Sequence, residues 1–236
     1  HLDQRTLTYS SESSACANPS GFDDGHTEYT YTTDHFVLHY KQDGKNAVSL
    51  KDVDPADGVP DFVNQGAEYL ETAARQYYLD QENGFKFLPP LSAPVSEYCG
   101  LDSTRYHIFY MEVDFFGATM AWGSGDNPWD DRRTYIIANH DFPNSLGRND
   151  DPEGSAIGLH KVTLAHELFH AVQGAYDFSE DIWFMEGSAT AMEDVIFDEV
   201  NDNVNYLKSV SWHPEKSLIE DPYGSFVLFE FFMERY

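Results

Sequence analysis

The pentapeptide His166-Glu167-Leu168-Phe169-His170 constrains this chain more than any other stretch. Two imidazoles four residues apart act together only on a helix, where they lie one turn apart on one face and can reach a single ion. Glu167 stands beside the first histidine, where its carboxylate can reach a metal-bound water without ligating the metal itself. The flanking residues predict the helix independently of the motif. Val162, Ala165, Phe169 and Val172 recur at helical spacing as a core stripe, leaving the two histidines on an adjacent face. The ordinary alternative for a bare match of this length is two histidines on a solvated face.

A catalytic zinc takes three protein ligands and a water. Glu186, in Trp183-Phe184-Met185-Glu186-Gly187, opens a second helical stretch and is expected in its first turn, pointing at the HELFH helix. An acidic residue there is also favoured simply by the helix dipole. Glu193, two turns further on the same face, is placed to hydrogen-bond a ligating histidine from behind and fix its tautomer. A HExxHxxGxxH or HExxHxxGxxD ligand scheme does not fit: Gly174 and Asp177 each fall one residue late, with Gln173 and Tyr176 at the required positions. Gly117-Ala118-Thr119-Met120-Ala121 echoes an aminopeptidase GxMEN strand but lacks the acid, which favours an endopeptidase.

HELFHAVQ, followed by WFMEGSATAMED and YGSFVLFEFF, resembles a gluzincin-like family of metalloproteases secreted by bacteria. That family also carries a DxDGNGxPDYV-like loop ahead of a helix, which residues 52–63 match approximately. The resemblance covers residues 36–236. It implies a zincin-type fold, zinc held by His166, His170 and Glu186, Glu167 as the general base, and peptide-bond hydrolysis. For the oxyanion donor of such a reaction, Tyr223 at the start of the last predicted helix is preferred to His213.

The loop itself offers Asp52, Asp54, Asp57 and Asp61 around Gly58, a set of hard oxygen ligands suited to calcium, with the carbonyl of Val59 completing the shell. The alternative is a capped acidic turn. Cys16 and Cys99 are too far apart for a CxxC motif; they form one disulfide in an oxidising compartment or remain two buried thiols.

Residues 36–40, 106–113 and 134–138 read as strands, and the first thirty or so residues and 123–132 as irregular or turn-rich. Val63, Ala67, Leu70, Ala74 and Tyr77 mark a helix; further helices are expected at about 159–175, 186–198, 202–210 and 223–236. Strands first and helices last predict an α+β fold, and the resemblance implies that it is zincin-like, in one catalytic domain. A sheet-containing part spans 1–157, a mainly helical part 158–236, and the zinc cleft lies between them.

Forty-one acidic against fourteen basic residues give a formal charge of −27, which repels nucleic acid and anionic lipid. The longest apolar run, 226–232, is too short to span a bilayer. A chain starting at His1 without an initiator Met reads as a processed or trimmed product whose signal peptide is already gone. With the resemblance to secreted metalloproteases, it is expected to be extracellular and to act on protein or peptide. A catalytically silent zincin-like binding or adhesion module at the cell surface is the rival; the intact Glu167 argues against it.

Overall fold

Alternation along three central strands gives one sheet two different faces. A computed structural model describes residues 19–49, 58–91, 101–142, 149–212 and 215–235. Its strands are β1 (Glu28–Thr32), β2 (Phe36–Lys41), β3 (Tyr106–Met111), β4 (Gly117–Ser124) and β5 (Arg132–Asn139), in the spatial order β1-β2-β3-β5-β4. β2, β3 and β5 run parallel, while β1 and β4 pair antiparallel at the two ends. Phe36, Leu38, Tyr40, Ile108, Tyr110, Ile136 and Ala138 point into the main core with the helices. Phe109, Met111, Tyr135 and Ile137 face the other way and are covered by Phe22.

Helix α1 (Asp61–Ala74) buries the expected stripe of Val63, Ala67, Leu70 and Ala74, and Tyr77 follows in a wider turn, Arg75–Leu79. Tyr77 donates its hydroxyl to the Ala165 carbonyl at 3.1 Å, tying α1 to α2 (Ser155–Gly174). α2 packs against α1, β4, β5 and α3 (Ile182–Ile196). Every residue of α2 from Gly158 to Gly174 is therefore buried, so the two histidines do not lie on a solvated face. The mixed sheet with its helices is an α+β arrangement, and the core draws on residues from Phe36 to Val200. Among the described residues no helix is long and apolar enough to cross a membrane.

The elements depart from expectation where local signals are weak. β1 (EYTYT) lies in the stretch expected to be irregular; it is a short edge strand whose residues stay largely exposed, and its alternation of Tyr29 and Tyr31 with polar residues is only two steps long. β4 carries Gly117 and Gly123 and shifts register between Ala121 and Gly123, which masks its strand pattern. α3 starts four residues early, because the Asp181 carbonyl accepts from the Phe184 and Met185 amides, although Ile182, Trp183 and Phe184 are indifferent helix formers. The predicted 202–210 helix divides into a 3₁₀ turn, Asp202–Asn205, and α4 (Leu207–Trp212). The last helix, α5, spans Phe226–Arg235, so Tyr223 lies in the preceding turn and not in the helix.

His160 on α2 is buried between Phe62 and Phe142, with its Nε2 2.7 Å from the Tyr110 hydroxyl. Burial lowers its pKa to about 3. A histidine depressed in the folded state binds its proton more readily in the unfolded chain. Its contribution to stability is therefore complete above about pH 6.5 and is lost as pH falls from there toward 3, by up to about 1.4 kcal/mol per pH unit. The double variant Tyr110→Phe/His160→Phe should show a shallower loss of unfolding free energy between pH 6.5 and 4 in urea titrations. An unchanged slope would mean that His160 is not the titrating group.

Candidate metal centre

α2 and α3 cross so that three side chains converge between them. One ligand atom each from His166, His170 and Glu186 lies within 4.8 Å of the others, and all three residues are buried. His166 Nε2 is 2.9 Å from His170 Nε2 and 3.2 Å from Glu186 Oε2; His170 Nε2 is 3.7 Å from Glu186 Oε1. Glu186 sits in the second turn of α3, because that helix begins at Ile182; the dipole at a helix start does not account for it.

The opposite ring nitrogens are both engaged. His166 Nδ1 lies 2.6 Å from Glu193 Oε1, and His170 Nδ1 lies 2.6 Å from Gln173 Oε1. Both partners are oxygen acceptors, so each Nδ1 carries a proton, and each neutral ring presents its Nε2 lone pair to the other. Two lone pairs and a carboxylate directed at one point repel unless a cation sits among them. A proton is the smallest such cation. Burial works against a charge on His166, yet the hydrogen bonds and charges of Glu186 and Glu193 raise its pKa to about 9. Burial likewise favours the neutral acid of Glu186, but His170 and His166 hold it well below the usual carboxylate range. The donor set, two imidazole nitrogens and one carboxylate with each imidazole braced from behind, fits a divalent metal ion in place of that proton.

Glu167 projects from α2 toward β4. Its Oε2 is 2.9 Å from Thr119 Oγ1, which also lies 2.7 Å from the Glu167 carbonyl. Oε1 is buried and has no hydrogen-bond partner among the described residues. Burial raises the pKa of this carboxyl, against the opposing pull of His166 and His170. β4 approaches closely here: a Cβ on Gly117 would stand 2.7 Å from Thr163 Cγ2 and 2.8 Å from Glu167 Cγ.

Tyr223 is buried, with its ring 6.3 Å from that of His166 and nearly parallel to it, and it stacks on Tyr206. His213, Cys16, Cys99, Asp52, Asp54 and Asp57 lie outside the described residues. Of the acidic loop, Val59 and Asp61 are described; Asp61 begins α1 and stands in no group of metal-ligating side chains among the described residues. Thr119 and Gln173 escaped the sequence reading as parts of the site. Thr119 is 48 positions from Glu167 and could not have been found by spacing. Gln173 had a signal: it is an amide three residues beyond a motif histidine on a helix that is otherwise apolar there.

A groove of about 580 Å³ opens beside the same helix pair, lined by Phe169, Gln173, Phe184, Ser188 and Phe229 among others; none of the three converging residues lines it. No family model, curated protein or solved structure matches this chain.

Gly117→Ala should overpack the contact with Thr163 and Glu167 and destabilise the fold by about 1–3 kcal/mol, read from the midpoint of chemical unfolding. A midpoint equal to that of the parent would show that β4 can retreat from Glu167 without cost.

Proposed function

We propose that this chain is a zinc-dependent endopeptidase, with His166, His170 and Glu186 as the zinc ligands and Glu167 as the general base. The observation that carries the reading is the convergence of two braced imidazole nitrogens and a carboxylate, together with the buried Glu167 Oε1, which has no hydrogen-bond partner among the described residues and whose carboxyl feels the charge of all three. Nitrogen and carboxylate donors in this number suit zinc and leave a coordination position for water. When bound, zinc acidifies that water and polarises the scissile carbonyl. The chain's own groups supply the rest of the reaction.

Glu167 is anchored at Oε2 by Thr119, which leaves Oε1 to take the proton of the attacking water. The same oxygen then returns a proton to the departing amine, so one carboxyl serves both transfers. Glu193 and Gln173 hold the imidazoles in the tautomer that presents Nε2. Tyr223, beside His166, is assigned as the donor to the oxyanion that forms as the carbonyl carbon becomes tetrahedral. In this reading the zincin-like cleft lies between the β4 side of the sheet and the segment bearing Tyr223. The substrate is protein or peptide, and the setting is extracellular.

Native mass spectrometry should find about one zinc per chain, and His166→Ala should lose it. Glu167→Gln should keep zinc and fold while cutting peptide cleavage on the order of a hundred- to ten-thousand-fold. A protein that binds zinc but cleaves a denatured casein no faster than Glu167→Gln does would overturn the enzyme reading.

Tyr223→Phe keeps the ring against His166 and removes only the hydroxyl. It should lower kcat by roughly a hundredfold or more, with little change in zinc affinity. An undiminished kcat would remove Tyr223 from the mechanism.

A further inference from the structure

Gln173 is buried, and its side-chain amide is engaged on both sides. Its Nε2 is 3.1 Å from the Met185 carbonyl and 2.8 Å from Ser188 Oγ. A carbonyl oxygen can only accept, so the nitrogen of this amide must face α3. The Ser188 hydroxyl gives its own proton to the Phe184 carbonyl at 2.6 Å and takes one from Gln173. The Gln173 carbonyl oxygen is thereby turned toward His170 Nδ1 at 2.6 Å. One amide thus spans from a ligating histidine on α2 to the residue that precedes Glu186 on α3.

We propose that Gln173 is the positioning residue of this centre: it fixes the tautomer of His170 and, through the same amide, the spacing of α2 and α3 that lets Glu186 reach the same point. The two histidines are then unequal ligands. His166 is backed by the carboxylate of Glu193 and His170 by a neutral amide. A carboxylate behind a ring strengthens its donation to a metal, and an amide orients the ring with less of that effect. This inference rests on the metal-centre reading.

The test is zinc affinity and a tautomer signal, both independent of turnover. Gln173→Met removes the acceptor and the donor, and the longer apolar chain has space because Gln173 borders the groove. Competition with a chromophoric chelator should show zinc bound about 10- to 100-fold more weakly. In the zinc-loaded protein, the His170 Nδ1–H proton resonance, protected from exchange in the parent, should disappear. Gln173→Glu retains an oxygen acceptor for His170 and should recover that resonance. If Gln173→Met does not fold, Ser188→Ala takes its place; it loosens the anchor without touching His170 and should weaken zinc several-fold.

Zinc affinity equal to that of the parent in whichever of the two variants folds, alongside a large loss in His166→Ala, would overturn the positioning role and leave the metal centre standing. A parent that takes up no zinc, or a His166→Ala variant that binds it as the parent does, would overturn the metal centre and this inference together.

Discussion

A helix enclosed on every side is the constraint on which the rest of this structure depends. Seventeen successive residues of α2, from Gly158 to Gly174, are buried, and among them are three histidines, a lysine, a threonine, a glutamate and a glutamine. Such polar groups are costly without a partner inside the protein, because water does not reach them, and most of them have one. Lys161 meets Asp151 at 2.8 Å and Glu199 at 3.2 Å; His160 meets Tyr110; Glu167 meets Thr119. The surrounding elements are thus selected for their partners as much as for their apolar surface. β4 must carry a glycine and a threonine where it passes Glu167, and α3 must turn two glutamates inward.

Charge explains why those glutamates are tolerated. Glu167, Glu186 and Glu193 lie within one small buried region, and three isolated carboxylates there would be prohibitively costly. They are held apart by their partners. Glu193 and Glu186 lean on imidazoles that can share positive charge, while Glu167 sits where desolvation favours its protonated form. A divalent ion at the convergence point would balance the set more completely than a proton does.

How much of this was legible in the sequence follows from the range of each interaction. The spacing of His166 and His170 is local and periodic, so their common face was readable, as was the stripe of α1. Glu193 was readable for the same reason, since it lies two turns from Glu186. The start of α3 was not, because its first turn is built from residues with little helical preference and is fixed by backbone bonds to Asp181. β1 and β4 were obscured by position: β1 is a short, exposed strand at the end of the sheet with only two alternating tyrosines, and β4 is disguised by its glycines. The Thr119–Glu167 contact joins two elements that only the folded topology brings together, and no pattern within either segment announces it.

The enclosure of α2 also divides the protein by the ease with which its backbone opens. Amide hydrogens in a helix packed on all sides exchange with solvent only when the core comes apart, so those of residues 162–172 share the protein's slowest exchange. The outer turns of α5 are different: Tyr223, Ser225 and Phe226 at its base are buried, with Ser225 Oγ 2.7 Å from the Trp183 carbonyl, but Phe231 and Phe232 beyond them are 56% and 49% exposed. Such a segment opens locally, at a fraction of the free energy of global unfolding. His166 and His170 thus sit on the element with the longest residence in its native state, and the outer turns of α5 have a much shorter one. The outer turns of α5 can fray and re-form many times while the histidines of α2 stay in register.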